Sequence, residues 1–342
     1  MPTNPPPVLD LSYKGVEEAY ELIKEKVKKT PVLTSESISK IADESGRTRL
    51  FFKCENFQKG GAFKIRGATH ALERLSPQQL QAGVITHSSG NHAQALSIAA
   101  QAKGVPAYII MPSNSARPKI EATKSYGGKI YFSDPSASAR EALTASIQSQ
   151  TGATLVPPYD HPAIILGQGT AFLELVSQAA EEDGVELDAV IAPVGGGGLL
   201  AGTALAAQGG GGSRVRVFAG EPADADDCYR GLASGERVPV SATTTVADGL
   251  RTPVGVTNFG VIQKHVDAVF TVSEEEILRA MRLIWERMKI VVEPSAAVPL
   301  AVVLSERWKA EGVKGNVGLI LSGGNVDLDK AGELLMGKVP AV

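Results

Sequence analysis

The sequence predicts an α/β protein built from two units in which parallel strands alternate with helices. The first observation is a strand–helix alternation that runs from about residue 83 to residue 150. The second is a restart of the same alternation between about residues 167 and 322. The third is that glycines and small polar residues stand where strands pass into helices. Strands that alternate with helices of this length form parallel sheets with crossover helices.

The chain before the first unit holds few elements. Residues 1–14 are rich in proline and predict a loose arm. Apolar residues then recur at helical spacing, which predicts an amphipathic helix over about 15–29. The apolar run at 50–52 predicts a short strand that leads into a glycine-containing segment, and residues 67–77 predict a helix.

The two units follow. In the first, strands are predicted at 84–87, 105–111 and 129–132, and helices at 88–101, 117–126 and 138–150. In the second, strands are predicted at 188–194, 215–220, 268–272 and 316–322, and helices at 167–182, after 195–198, at 274–288 and at 295–308. Ser273 and Glu276 form a capping box for the helix at 274–288.

The division into domains follows from these units. We expect a large domain made of residues 1–77 and 156–342, with a small domain at 78–155 inserted in it. A cleft between two such domains is a usual place for a small-molecule site.

Charge, cysteine content and the N-terminal sequence limit the partners and cellular compartments that the chain is expected to have. The net charge is −3 and the basic residues are dispersed, so nucleic acid is a poor partner. Two cysteines far apart favour a reduced, cytoplasmic compartment and offer no paired metal ligands. The N-terminus has no secretory pattern, and we expect no apolar run of membrane-spanning length.

Lys64 is the first candidate catalytic residue. It stands among small or apolar neighbours, which include Gly61 and Phe63. Partial desolvation of a lysine lowers its pKa and frees the lone pair for covalent chemistry. Taken alone, however, Lys64 also fits a surface lysine at the start of a helix.

The glycine run at 195–198 follows an apolar strand and precedes a helix. Consecutive backbone N–H groups at a helix N-terminus suit a phosphate. The run lacks the Gly-Lys-Ser/Thr ending of a nucleotide P-loop. It partly matches a dinucleotide fingerprint, with Glu221 placed as a ribose-binding acid, so a nicotinamide-linked oxidoreductase is a rival interpretation.

Two further polar segments stand at the ends of predicted strands. Residues 88–92, Ser-Ser-Gly-Asn-His, could hold a carboxylate at a helix N-terminus, although a plain N-cap uses the same residue types. Ser322 opens a Ser-Gly-Gly-Asn segment that could bind a ring nitrogen or be a simple turn. An acidic loop at 221–227 could bind Mg²⁺ or Ca²⁺, although such loops are usually only solvated.

Together these segments carry a family resemblance. FQKGGAFKIRGA, THSSGNHAQA, GQGT, PVGGGGLLAG, EPADADDCY, VADGL and LSGGNVDL occur in this order over about residues 15–330. The chain resembles the fold-type II, tryptophan synthase β-like, pyridoxal-phosphate enzymes, and within them the serine/threonine dehydratase family with its amino-acid racemases. The resemblance implies two doubly wound α/β domains with the cofactor in the interdomain cleft. It also favours a cofactor phosphate over a dinucleotide at the glycine run.

The resemblance implies roles for particular residues. Lys64 matches the lysine that bonds to the cofactor, and Ser89 matches the acid/base on the opposite face of the ring. Other cofactor contacts are implied for Phe63, Asn91, Gly195, Gly196, Gly197, Gly198, Leu199 and Ser322. Substrate contacts are implied for Ser88, Ser89, Asn91, His92 and Arg140. Glu221, Asp227 and the carbonyl of Ala225 match a cation site.

The implied activity is interconversion of L- and D-serine, with β-elimination to pyruvate and ammonia. A dehydratase for L-serine, L-threonine or 3-hydroxyaspartate is the alternative, and a non-catalytic binding protein of the same fold remains a third. The resemblance further implies activation by Mg²⁺, Ca²⁺ or Mn²⁺ and by ATP, and a homodimer. Tyr159 departs from the pattern of mammalian racemases, which have asparagine there.

Overall fold

The computed structural model describes residues 9–115, 117–209, 214–239 and 243–338. Most of the arm predicted at 1–14 therefore lies outside the described residues. The strands are β1 (Val32–Thr34), β2 (Thr48–Cys54), β3 (Val84–His87), β4 (Ala107–Pro112), β5 (Lys129–Ser133), β6 (Thr154–Leu155), β7 (Ala189–Pro193), β8 (Arg216–Pro222), β9 (Ala268–Val272) and β10 (Gly315–Leu321).

The helices alternate with these strands along most of the chain. They are α1 (Tyr13–Ile23), α2 (Glu36–Ala42), α3 (Lys64–Glu73), α4 (Pro77–Ala82), α5 (Asn91–Lys103), α6 (Arg117–Ser125), α7 (Ala137–Thr151), α8 (Pro162–Asp183), α9 (Gly198–Ala206), α10 (Asp227–Ser234), α11 (Val256–His265), α12 (Glu274–Leu283), α13 (Pro294–Leu304), α14 (Glu306–Glu311) and α15 (Leu328–Lys338).

The described strands form two sheets, and the predicted α/β architecture is confirmed. The larger sheet has the order β1-β2-β10-β7-β8-β9, and the smaller has the order β5-β4-β3-β6. Every pairing is parallel except that of β1 with β2. The smaller sheet uses only residues 84–155, and we propose that it is the centre of the small domain expected at 78–155.

Several boundaries differ from the sequence prediction. The first helix ends at Ile23 and not near residue 29. The helix predicted from residue 67 already begins at Lys64, which places this lysine in the first turn of α3. The helix predicted at 295–308 divides at Ser305, because the Ser305 side chain accepts a hydrogen bond from the amide of Trp308 and caps a second helix. The Ser273 capping box is confirmed at the start of α12.

Helix α8 holds α3 and α9 close together through its glycines. A Cβ atom on Gly167 would lie 2.7 Å from Cα of Gly67 in α3, and one on Gly169 would lie 2.5 Å from the carbonyl oxygen of Gly202 in α9. Gln168, between the two, accepts a hydrogen bond from the amide of Gly67 at 3.0 Å. The Gly-Gln-Gly sequence thus fixes two helices whose N-termini reach the candidate site.

Helix α8 is the one described helix whose length and composition bear on the membrane expectation. Helix α8 has 22 residues and a mean hydropathy of 1.2 in its most apolar window, so by length and composition alone it could cross a membrane. However, 78% of that window is buried inside the protein. Its apolar composition is therefore explained by its position as a core helix between α3, α9 and the larger sheet.

We predict that Gly202→Ala lowers the free energy of unfolding by about 1–3 kcal/mol, because the added methyl group overlaps the backbone of α8. Gly260→Ala is the matched control. Gly260 lies in α11 with no atom within 4 Å of an added Cβ, so alanine should raise the free energy by about 0.5–1 kcal/mol. Chemical denaturation followed by circular dichroism measures both. Equal effects of the two substitutions would contradict close packing of α8 and α9.

Candidate active site

A cavity of about 460 Å³ opens between the two sheets. Strands β3, β7 and β10 each end beside it, and each is followed by one of the polar or glycine-rich segments singled out in the sequence. Ligands of parallel α/β sheets bind at the carboxyl ends of the strands. The cavity is therefore lined by segments that lie more than 200 residues apart in the chain. Their side chains and backbone amides are its candidate functional groups.

Lys64 lies at the N-terminus of α3 and lines the cavity. Its Nζ donates a 2.7 Å hydrogen bond to the carbonyl oxygen of Pro158 and lies 5.1 Å from the centre of the Phe63 ring. Burial lowers the pKa of Lys64 to about 8, although the negative charge of Glu293 partly opposes this shift. A lysine with such a pKa is partly uncharged near neutral pH and can act as a nucleophile or base.

The glycine loop, residues 195–198, is shaped to accept an anionic group. Gly197 has φ +91°, and a Cβ atom on Gly195 would lie 2.7 Å from Cα of Leu250. A Cβ atom on Gly196 would overlap the ring of Tyr159. In the described part of the chain, no acceptor binds the amide N–H groups of Gly196, Gly197 or Gly198. Unpartnered donors at the N-terminus of α9, beside the buried Leu199, suit a phosphate.

Asn91 connects two other cavity segments. Its Nδ2 donates to both carboxylate oxygens of Glu293, at 2.9 and 3.1 Å, and its Oδ1 accepts from Asn325 at 2.9 Å. Burial raises the pKa of Glu293 to about 7, and the charge of Asp248 adds to the rise. Glu293 was not predicted from the sequence, because a glutamate before a proline-initiated helix has no distinctive pattern.

The serine-rich segment after β3 also lines the cavity. Ser88 and Ser89 are half-buried there. The ring of His92 is buried, its Nε2 lies 3.0 Å from the carbonyl oxygen of Val156, and its Nδ1 has no partner among the described residues. Burial, with the nearby charge of Lys64, lowers the pKa of His92 to about 3, so the ring is neutral. A carboxylate contact for His92 would have to use a neutral imidazole.

Cations line the side of the cavity that belongs to the smaller sheet. Arg140, on α7, has a buried Nε without a partner among the described residues. Lys119, on α6, forms an ion pair with Asp248, which belongs to the segment before α11. An unpartnered guanidinium nitrogen in the cavity wall favours an anionic group in the ligand.

Ser322 follows β10 and lines the cavity. It is buried, and its carbonyl oxygen accepts a hydrogen bond from the amide of Phe63 at 3.1 Å. This bond ties the end of β10 to the turn before Lys64.

The acidic loop lies at the end of β8, and two of its carboxylates are buried. Glu221 accepts hydrogen bonds from the amides of Cys228 and Tyr229, both at 3.0 Å, and burial raises its pKa to about 8. Asp227 accepts from the amide of Val254 at 2.9 Å, whereas its buried Oδ1 has no partner in the part of the chain that the structure describes. Within the described residues no three His, Cys, Asp or Glu side chains group together. A cation here would therefore also need backbone or water ligands.

Comparison with known proteins agrees with this geometry. The family model described as "Pyridoxal-phosphate dependent enzyme" matches residues 23–323. Serine racemase of Dictyostelium discoideum is 43% identical over 96% of this chain and 99% of its own length. The β-hydroxyaspartate dehydratase of Paracoccus denitrificans is 44% identical over 93% of this chain and 98% of its own length. The structure of maize serine racemase superposes with a TM-score of 0.89 at 41% identity, covering 95% of this chain and 97% of that one.

These matches span nearly the whole chain, and they exceed what fold similarity alone produces. They remove the nicotinamide interpretation of the glycine loop, since the family binds pyridoxal phosphate. The chain belongs to the family of pyridoxal-phosphate dependent enzymes.

Proposed function

We propose that the protein is a serine racemase, which interconverts L- and D-serine and also eliminates serine to pyruvate and ammonia. The observation that carries the proposal is that Lys64, with its lowered pKa, and Ser89 line the same cavity, Lys64 from the start of α3 and Ser89 from the segment after β3. Racemisation needs one group to remove the α-proton and another to return a proton on the opposite face.

The residues present fit the cofactor. The free amides of the glycine loop would hold its phosphate, and Lys64 would bond to its aldehyde carbon. Asn91 would face the ring hydroxyl and Ser322 the ring nitrogen, with Phe63 and Leu199 beside them. When bound, pyridoxal phosphate supplies an electron sink for negative charge at the substrate α-carbon.

The remaining steps belong to side chains of this chain. Once the amine of the substrate has displaced it from the cofactor, Lys64 would take the α-proton as its uncharged amine, and Ser89 would donate a proton from the other side to give the enantiomer. Ser88, His92 and Arg140 would bind the substrate carboxylate, and Ser89 and Asn91 would be further substrate contacts. The segment at 88–92 would close over the substrate carboxylate and exclude water. Loss of the β-hydroxyl as water from the same deprotonated substrate would lead instead to an enamine, which water hydrolyses after its release to pyruvate and ammonia.

A dehydratase acting on 3-hydroxyaspartate, L-threonine or L-serine is the second candidate. The free Nε of Arg140 and the ammonium of Lys119 would suit a second carboxylate in the substrate. The Paracoccus relative named as a β-hydroxyaspartate dehydratase is as similar as the racemases are.

We also propose a Mg²⁺, Ca²⁺ or Mn²⁺ ion at Glu221, Asp227 and the carbonyl of Ala225. The support is that two carboxylates are buried close in sequence and that Asp227 Oδ1 lacks a partner. Activation by ATP, a homodimer and a cytoplasmic location are further proposals, and these rest on the family resemblance alone.

The first test is to incubate the purified protein with L-serine, pyridoxal phosphate and Mg²⁺, and to quantify D-serine and pyruvate in the same tube. We expect both products, and we expect EDTA or Asp227→Asn to lower both rates, because the cation stabilises the loop after β8. Pyruvate without D-serine would make the protein a dehydratase. Unchanged rates after chelation would refute the cation site.

Ser89→Ala should lower the racemisation rate by at least about 100-fold, the range for loss of a general acid, and should lower elimination from L-serine much less. Ser88→Ala is the comparison. It removes a neighbouring hydroxyl that we place on the carboxylate, so both products should fall together through a higher KM. Equal losses of both activities in Ser89→Ala would refute its role as the second acid/base.

The rate at which the cofactor bonds to Lys64 in the apo-protein should rise with pH and level off above about pH 8, because only the uncharged amine reacts. An ordinary lysine would continue to gain reactivity up to its usual pKa of 10.5. Glu293→Gln removes a charge that raises the pKa of Lys64, so the midpoint should move to lower pH. Stopped-flow absorbance measures both, with Lys64→Ala as the blank. A midpoint near 10.5 would contradict desolvation of Lys64.

A further inference from the structure

The glycine loop is held from outside the cavity by the start of α11. The carbonyl oxygen of Gly196 accepts two hydrogen bonds, one from Nδ2 of Asn258 at 2.6 Å and one from the amide of Gly255 at 3.1 Å. Asn258 is fully buried, and its Oδ1 has no partner among the described residues. The short bond to Gly196 is therefore the one polar contact that its side chain makes there.

This pair of bonds orients a cavity-facing peptide group. The carbonyl of Gly196 and the N–H of Gly197 belong to one planar trans peptide and point in opposite directions. Gly197 has φ +91°, a conformation that glycine adopts without strain. Because Gly196 and Gly197 both lack a Cβ atom, their own side chains place little restriction on the orientation of this peptide. The two hydrogen bonds hold the carbonyl of Gly196 toward α11. The N–H of Gly197 therefore points away from α11, on the side where the loop lines the cavity.

Asp160 holds the turn that carries Asn258. The residue before α11 is Gly255, which has no side chain to cap the helix. Instead, Asp160 accepts hydrogen bonds from the amides of Val256 at 2.8 Å and Asn258 at 3.1 Å. A carboxylate at a helix N-terminus is stabilised by the unpaired N–H groups and by the helix dipole. The first turn of α11 is therefore fixed by a residue 96 positions earlier in the chain.

The same short loop supports Gly196 from a second direction. Tyr159, next to Asp160, packs its ring against Gly196, where even a methyl group would overlap it. Pro158, one residue earlier, accepts the hydrogen bond from Lys64. The segment 158–160 therefore contacts Lys64 and the glycine loop directly, and it contacts α11 through the carboxylate of Asp160.

We propose that Asn258 and Asp160 are positioning residues for the cofactor phosphate. Neither would touch the phosphate: Asn258 sets the orientation of the Gly196–Gly197 peptide, and Asp160 sets the position of Asn258. The inference rests on membership of the pyridoxal-phosphate family. It does not depend on which amino acid the protein converts, so failure of the serine assay and failure of this inference are separate results.

The test compares two ligands of the apo-protein, pyridoxal phosphate and pyridoxal, which lacks the phosphate. Asn258→Asp replaces the donor with an oxygen that repels the carbonyl of Gly196. We expect the Kd for pyridoxal phosphate to rise about tenfold or more, which corresponds to the loss of a buried hydrogen bond, and the Kd for pyridoxal to stay within twofold. The phosphorus NMR signal of the bound phosphate should also shift.

The matched control is Gln263→Glu, on the same helix. Gln263 also donates a side-chain amide hydrogen bond to a backbone carbonyl, that of Gly235 at 2.9 Å, but it lies at the other end of α11 and is exposed. Both Kd values should remain unchanged in this variant. Thermal unfolding of each apo-variant reports any general loss of stability.

Asp160→Asn is the second variant, and it tests the same proposal if Asn258→Asp does not fold. It keeps the shape of the cap but loses one acceptor, so the Kd for pyridoxal phosphate should rise by a smaller factor, again without a change for pyridoxal. In the double variant the two effects should be less than additive, because both act through one chain of contacts. Equal weakening of both ligands, or no weakening of either, would overturn the proposal.

Discussion

A buried network of four charged side chains supports the helix that begins at Lys64, the proposed catalytic lysine. Arg66, two residues after Lys64, forms paired hydrogen bonds to Glu55 at 2.8 Å and to Glu174 at 2.6 and 2.8 Å. Lys53 binds Glu174 at 2.7 Å, and all four side chains are almost completely buried. The two positive charges balance the two negative ones. Removing one partner from such a group costs about 3–5 kcal/mol, because an uncompensated charge stays buried.

The network connects three elements of the fold. It joins the end of β2 to the first turn of α3 and to the middle of α8. Lys53 also donates hydrogen bonds to the carbonyl oxygen of Thr30 at 2.7 Å and to the side-chain oxygen of Gln178 at 2.6 Å. Because bidentate arginine–carboxylate pairs tolerate little displacement, the position of α3 is determined closely, and with it the position of Lys64.

Close glycine contacts on α8 also determine the position of the glycine loop, which lines the part of the cavity where we propose that the phosphate binds. Gly169 and Gly202 let α9 approach α8 closely, while Gly67 and Gly167 do the same for α3. The N-terminus of α9 carries the glycine loop and the N-terminus of α3 carries Lys64. Lys64 and the glycine loop, which we propose bind opposite ends of one cofactor, are thus positioned by the same central helix. The smaller sheet contributes the cations and serines of the opposite wall.

Local sequence patterns determined the repeated α/β units, the capping box of α12 and the segments that end β3, β7 and β10. Each of these depends on residues close together in the chain, so periodicity and turn chemistry reveal them. Motifs in chain order likewise identified the family. Short elements such as β1, β6 and α14 were not predicted as separate elements, because two to six residues give too little periodicity and depend on tertiary contacts.

Only the tertiary structure decided which remote groups meet. Glu293 faces Asn91, and Asp160 caps α11, across sequence distances of 202 and 96 residues. The sequence supplied Lys64 as a candidate nucleophile, but its lowered pKa comes from burial that neighbouring residues in the chain do not specify. A single polar residue has no local signature, since its partner is chosen by how sheets and helices pack. The sequence by itself therefore determined the fold class, the family and the candidate residues, whereas packing decided their contacts and charge states.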